Sequence, residues 1–149
     1  MTDSPSAQKD EEIFNFMVFV HRKLSKPFED YFKGRFTSLQ INALCILCTS
    51  GPMTMGELAA CLHTPPQQMS RMIEKLYEEG HIVRSHDPGD RRKILISVSQ
   101  DTAEYIIRGR EWFADSLRTF MDTLNEKDCE EFKSAVRSVT RILTKIPQA

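Results

Sequence analysis

No apolar run in this 149-residue chain approaches the roughly 20 residues that a membrane-spanning helix requires. Residues 1–12 are polar and acidic, without the positive start and apolar stretch of a secretory signal, so a cytoplasmic protein with no membrane role is expected. An excess of charge of one sign is missing too. Twenty Lys and Arg stand against 21 Asp and Glu, a net charge of −1, so overall charge gives nucleic-acid binding no support and a case for it must rest on local pattern. Cysteine is scarce: Cys45, Cys48, Cys61 and Cys129 are even in number, but without secretion, in a chain with room for a core, they read as free thiols. His21, His63, His81 and His86 show none of the Cys/His spacings of zinc sites, so neither metal nor cofactor is expected. No nucleophile beside a base, phosphate loop or close carboxylate pair emerges, which argues against an enzyme.

What is present is a composition of 40% hydrophobic and 28% charged residues, that of one globular domain, with strong helical periodicity. Over residues 11–33, Ile13, Phe16, Met17, Val20, Leu24, Phe28 and Phe32 recur three or four apart and predict one long amphipathic helix. Thr37 with Gln40, and again Thr54 with Glu57, place a capping hydroxyl three residues ahead of a side chain able to reach back, so helices start at both points. The first carries Ile41, Leu44, Cys45 and Cys48 on one face and stops at Gly51-Pro52; the second buries Leu58, Cys61 and Leu62 and turns at His63-Thr64. The Cys45-Ile46-Leu47-Cys48 run lies within an amphipathic helix and reads as core packing rather than a redox pair.

Pro65-Pro66 fits the opening of a further helix whose inward face is Met69, Met72, Ile73 and Leu76 and which ends at Gly80. Gln67, Gln68, Ser70, Arg71, Glu74 and Lys75 then face outward. β-rich segments at 82–86 and 93–98 flank the turn Asp87-Pro88-Gly89-Asp90 and predict an antiparallel hairpin. Ser99 is placed to cap a long helix through Met121, and Asn125 opens a last one in which Cys129, Phe132, Val136, Val139, Leu143 and Ile146 form a seam. That seam and the apolar first helix exceed what one small core can cover, so the terminal helices are expected to pair with a second copy of the chain.

Two short helices joined by a tight turn and followed by a hairpin give the order of a winged helix-turn-helix, whose second helix enters the DNA major groove. The fold class expected is therefore mainly α with a small β-hairpin, flanked by long terminal helices. Gln reads adenine, Arg reads guanine, Ser reads either, and Lys meets phosphate, which makes Gln67, Gln68, Ser70, Arg71 and Lys75 candidate readers. The same residues would also make an ordinary solvated helix face. The hairpin tilts the balance, because Arg91-Arg92-Lys93 at its tip suit phosphate or the narrow minor groove, and Arg84 lies on its first strand. Between residues 64 and 98 six cations face five acids, a local balance of +1: the positive charge is focused rather than abundant.

Leu39-Gln40, Gly51-Pro52-Met53-Thr54-Met55-Gly56-Glu57-Leu58-Ala59, the run from Ser70 to Arg84, and Asp87-Pro88-Gly89-Asp90-Arg91-Arg92-Lys93 resemble the multiple-antibiotic-resistance regulator (MarR) family over roughly residues 37–101. The resemblance implies a single domain over 1–149, with helical dimerisation regions at 1–36 and 100–149 and a DNA-binding lobe at 37–99. It implies a homodimeric transcription regulator, a repressor in the first instance, that holds a palindromic double-stranded operator and is released by a small effector. By position Arg92 matches the wing arginine that enters the minor groove, Asp90 the acid that orients the wing, and Arg91 a phosphate-contacting neighbour. Pro65 departs from the family's Ser before the helix proline; Thr64 is the candidate replacement cap, with Gln67 at the third helical position. The first residue of that helix stays open, since a residue before proline resists helical geometry.

By analogy with the family the effector is an aromatic acid or phenol, for which Phe16, Phe19, His21 and Arg22 are candidate lining residues. A thiol-responsive regulator of the same fold is one alternative, although the chain has no cysteine before Cys45. A winged-helix protein-interaction module without operator binding is the other.

Overall fold

The computed structural model describes residues 5–146; residues 1–4, at the start of the acidic stretch, and the last three, 147–149, lie outside the described residues. The order is α1 (Pro5–Val20), a π-helical turn (His21–Ser25), α2 (Lys26–Tyr31), α3 (Ser38–Ser50), α4 (Met55–Cys61), α5 (Pro66–Glu78), β1 (Ile82–His86), β2 (Ile94–Val98), α6 (Gln100–Asp122) and α7 (Glu126–Leu143). Mainly helical with one antiparallel hairpin, this is the expected fold class.

The single regular helix expected over 11–33 is instead interrupted. At the π turn the Lys26 amide donates to His21 O, five residues back, where an α-helix would reach four. Pro27 supplies a physical reason. It has no amide to offer the carbonyl four residues back, and its ring crowds that carbonyl, so the helix widens just ahead of it.

Both predicted capping boxes form. Thr37 Oγ1 accepts from the Gln40 amide at 3.3 Å while Gln40 Oε1 accepts from the Thr37 amide at 2.8 Å, and Thr54 with Glu57 repeats the pattern at 3.2 and 2.8 Å. The helices so started enclose one core: Ile41, Leu44 and Leu47 of α3, Leu58 of α4, Met69, Ile73 and Leu76 of α5, Ile82 and Ile96 of the hairpin, and Ile106 of α6. Cys45 and Cys48 are only half-buried at its edge. Cys61 departs from expectation, being exposed, because in a helix this short Leu58 alone is fully buried.

Helix α6 joins this core through Ile106 and through Gly109, where a Cβ would overlap the Phe32 ring, so α2 and α6 meet as closely as they do only because residue 109 has no side chain. Ser99 occupies the cap position of α6 with extended backbone, yet makes no side-chain cap bond. Its amide donates to His81 O at 2.9 Å, and its buried hydroxyl is without a partner. Asn125 does cap α7, accepting from the Asp128 amide at 2.9 Å.

The terminal helices contrast with this. Residues 11–19 of α1 are all exposed, and α7 has no fully buried residue. Phe14, Met17 and Phe19 near one end of the chain, and Ile142, Leu143 and Ile146 near the other, stand more than half exposed.

Candidate nucleic-acid interface

The tight turn between α4 and α5 is set by backbone bonds. The Thr64 amide donates to Ala59 O and the His63 amide to Ala60 O, at 3.0 and 3.2 Å, which closes α4 with His63 in the left-handed position (φ 47°) usually held by glycine. Thr64 does not cap α5. Its hydroxyl turns back to donate to Leu62 O at 3.1 Å. Helix α5 begins at Pro66, with Pro65 extended before it, so Gln67 is the second helical residue rather than the third. Proline at the first position gives up an amide that would have no partner in any case.

From that start the helix buries Met69, Met72, Ile73 and Leu76 and presents Gln67, Gln68, Ser70, Arg71, Glu74 and Lys75 to solvent. All five candidate readers thus share one exposed surface. Lys75 lies 3.8 Å from Glu79, a loose contact between exposed groups. At the far end Gly80 (φ 76°) reverses the chain: His81 and Gly80 amides donate to Leu76 O and Tyr77 O at 2.8 and 3.0 Å, and the hairpin starts directly from the helix.

Strand β1 pairs with β2 from Ile82 opposite Val98 to His86 opposite Ile94. The inner end is anchored by buried Ile82 and Ile96 and by two backbone hydrogen bonds between Ile96 and Met53, at 2.8 and 3.1 Å. The tip is built by carboxylates. Asp87 Oδ1 accepts from the Gly89 and Asp90 amides at 2.7 and 3.1 Å, Asp90 Oδ1 accepts from the Arg92 amide at 3.1 Å, and the Lys93 amide donates to Asp90 O at 2.9 Å. His86 Nδ1 lies 2.9 Å from Arg91 O. Two of the tip's acids are thereby occupied by backbone, and among the described residues no ion pair involves Arg91, Arg92 or Lys93, all exposed.

Arg84 differs from the other candidates. Its guanidinium donates to Glu74 Oε2 at 2.6 Å and lies 4.3 Å from the centre of the Tyr77 ring, so it is turned onto α5 rather than left free like the tip cations. Sequence reasoning assigned no role to Glu74 or Tyr77. The available signal was Tyr77 itself, an aromatic on the outward side of the helix.

The candidate effector residues separate. Phe16 and Phe19 line an apolar cavity of about 560 Å³ with Trp112, Phe113, Phe120 and Phe132; its one cation is Lys23. The step of three and four from Phe16 through Phe19 and Val20 reaches Lys23, which sequence reasoning overlooked in favour of Arg22. His21 lines a different groove, of about 690 Å³, between the π turn, α3 and α6, with Asn42, Cys45 and Arg110; Arg22 lines neither. Burial pushes the Cys45 and Cys48 thiols up, against a smaller opposing pull from Arg110. Among the described residues no cluster of His, Cys, Asp or Glu is arranged to hold a metal ion, and no helix is long and apolar enough to cross a membrane.

The profile of the MarR family matches residues 36–94, from the end of the α2–α3 connection into the second strand of the hairpin. A helix-turn-helix transcriptional regulator of Mycobacterium bovis, Mb0904, is 33% identical over 112 residues, which cover 72% of this chain and 76% of that protein. Among solved structures, a MarR family protein from Bacillus stearothermophilus superposes with a TM-score of 0.80 at 16% identity, over 93% of this chain and 97% of that one. A point mutant of Staphylococcus aureus MepR bound to an oligodeoxyribonucleotide superposes at 0.63 and 18% identity, over 89% and 97%. Profile, relative and fold agree with the geometry of α4, α5 and the hairpin: the chain belongs to the MarR family of DNA-binding transcriptional regulators.

Proposed function

We propose that this regulator acts as a homodimer on a palindromic operator, with α5 in the major groove and the wing tip in the adjacent minor groove. One observation carries the reading: the wing tip is ordered by Asp87 and Asp90 through backbone bonds, which leaves Arg91, Arg92 and Lys93 exposed and without an ion-pair partner on the hairpin that follows the exposed Gln67, Gln68 and Arg71 face. In this reading Arg92 enters the minor groove, Arg91 and Lys93 meet phosphates, and Asp90 orients the tip. The DNA-bound MepR neighbour supports it by fold. A protein-interaction module without operator binding has no use for three cations so placed.

Residues 1–36 and 100–149 would form the dimer and 37–99 the DNA-binding lobe. The exposed apolar faces of α1 and α7 support this, being larger than a lone globular surface usually leaves open. The effector would be a small organic molecule, an aromatic acid or phenol. The groove lined by His21, Glu29 and Arg110 is the candidate, because it lies where the dimerisation helices meet the DNA-binding lobe. An effector that wedges this junction lowers DNA affinity, and repression follows as the default output. A thiol trigger is disfavoured at Cys45 and Cys48, whose raised pKa keeps them protonated at neutral pH.

The test is DNA binding by fluorescence anisotropy as a function of salt. The Arg92→Ala variant should bind all duplexes more weakly, with the slope of log affinity against log salt reduced by about one. Gln68→Ala should relax preference at particular base pairs by roughly 1–3 kcal/mol. Unchanged affinity in Arg92→Ala would remove the wing from the interface.

A further inference from the structure

We infer that Arg84, Glu74 and Tyr77 form a clamp that fixes the angle between the wing and the recognition helix, so that Arg84 is a positioning residue for DNA recognition and not a DNA contact. The inference rests on the DNA-binding reading above and adds to it a determinant of specificity.

The geometry is specific. Among the described residues, the bond from Arg84 Nη2 to Glu74 Oε2 at 2.6 Å is the only side-chain hydrogen bond joining the hairpin to α5. Tyr77, one turn further along the same helix, lies under the guanidinium at 4.3 Å. A planar guanidinium held at one edge by a carboxylate and on one face by a ring has little freedom left, which a lysine in its place would keep. The pair is also partly shielded, with the Arg84 side chain one-third exposed and Glu74 about half exposed, at 33% and 52%.

The need for such a clamp follows from how the hairpin is attached. Its inner end is fixed by buried Ile82 and Ile96 and by the Met53–Ile96 backbone bonds. Further out, Val83 and Ile94 are about half exposed, at 47% and 51%, so apolar packing does not set the direction of the outer strands. The tip cations lie beyond the last paired residues, His86 and Ile94, themselves two positions or about 7 Å of strand past Arg84. A small rotation at Arg84 is therefore a larger displacement at Arg92. Bases read by α5 and a groove entered by the wing must be met in register, so a loose angle weakens matched DNA most and generic phosphate attraction least.

Glu74 supplies the second half of the argument. It is an acid on the helix face that approaches a polyanion, which would oppose binding unless it did something else. Paired with Arg84 it is neutralised, and its charge is turned into a restraint.

The competing role, a phosphate contact by Arg84, predicts effects of opposite sign, so Glu74→Gln separates the two. If Glu74 restrains Arg84, removing its charge weakens binding to a matched duplex. If it merely withholds Arg84 from DNA, removing its charge frees a cation, deletes a repulsion and tightens binding to every duplex. The probes are a duplex enriched from a random library by the wild-type protein and a scrambled duplex of equal length and composition.

With Glu74→Gln and Arg84→Lys, affinity for the enriched duplex should fall on the order of tenfold, the scale of coupling between contacting residues. Affinity for the scrambled duplex should stay within about twofold, with its salt slope unchanged. Hydroxyl-radical protection at the minor-groove positions covered by the wing should fade while protection by α5 persists. Both variants alter surface groups, and equal thermal midpoints with wild type check that the fold is intact. Tighter binding of Glu74→Gln to both duplexes overturns the clamp. So does a loss in Glu74→Gln confined to one base pair with the wing footprint intact, which would make Glu74 a base reader. A wild-type protein that enriches no sequence overturns the DNA-binding reading and the clamp with it; enrichment by wild type with unaffected variants overturns the clamp alone.

Discussion

The lobe built from α3, α4, α5 and the hairpin closes on itself, whereas α1 and α7 carry an equally marked apolar pattern of which much stays exposed. Ile41, Leu44, Leu58, Met69, Ile73 and Leu76 are at most 1% exposed. Ile142, Leu143 and Ile146, spaced as regularly along the end of the chain, are 53%, 58% and 61% exposed. Amphipathic spacing thus states that a face will be covered without stating what covers it. In the lobe the cover is intramolecular, because three helices and a hairpin, joined by short connections, pack around one core. At the ends α1, α6 and α7 line one shared cavity yet leave these outer faces open, and a second copy is the cover we propose.

If the two regions differ in this way, substitutions in them should fail differently. The largest effect is expected in the lobe. Leu44→Ala opens a cavity in a core with no solvent access and should cost roughly 2–5 kcal/mol in denaturant unfolding at fixed protein concentration. Next comes Ile142→Ser with Leu143→Ser, which should raise the dimer dissociation constant by roughly tenfold or more per residue in sedimentation velocity, leaving the helical spectrum of the monomer intact. A lone wild-type chain at micromolar concentration would break the comparison at its root. A smaller cost, about 1–3 kcal/mol, is expected for Gly109→Ala, whose Cβ overlaps the Phe32 ring and must push α2 away from α6. Because α2 and α6 link the ends to the lobe, a change in DNA affinity beyond the loss of stability would show that the two regions communicate there.

The smallest effect is a pH dependence at the same junction. His81 ends the turn after α5, its Nδ1 lies 3.0 Å from Thr102 Oγ1 of α6, and its ring packs edge-on against Phe36. Burial, and then the nearby Arg35 cation, hold its pKa below the usual 6.5, with Glu79 opposing weakly. The folded state therefore favours neutral His81, and the unfolded chain takes up the proton first as pH falls. This contribution to stability is full above about pH 6.5 and is lost as pH drops below it. Denaturant midpoints at pH 7.5 and 5.5 should show the loss, and His81→Asn should flatten it.

Much of the site was legible residue by residue. The two capping boxes, the inward face of α5 and the hairpin with its Asp-Pro-Gly-Asp turn are all local matters, decided by side chains within four positions of one another, and all form. The failures are also physical. Cys61 shares the periodic apolar stripe with Leu58 and Leu62, but a helix of seven residues touches the core along little more than Leu58. Thr64 and Ser99 sit where caps belong, yet one hydroxyl bonds backwards to Leu62 and the other points into the interior. Phe16 and His21 are near in sequence, but five helical residues apart they lie on different faces and line different cavities.

The sequence by itself determined which segments are helix, strand and turn, which faces are apolar, and that three cations crown an acid-built turn. Those properties follow from backbone sterics and short-range hydrogen bonds. Only the tertiary structure decided that Arg84 pairs with Glu74 and stacks on Tyr77, and that Gly109 lies against the Phe32 ring. In each case the partners lie ten, seven or 77 positions apart in sequence, and no periodicity specifies the angle at which two elements cross.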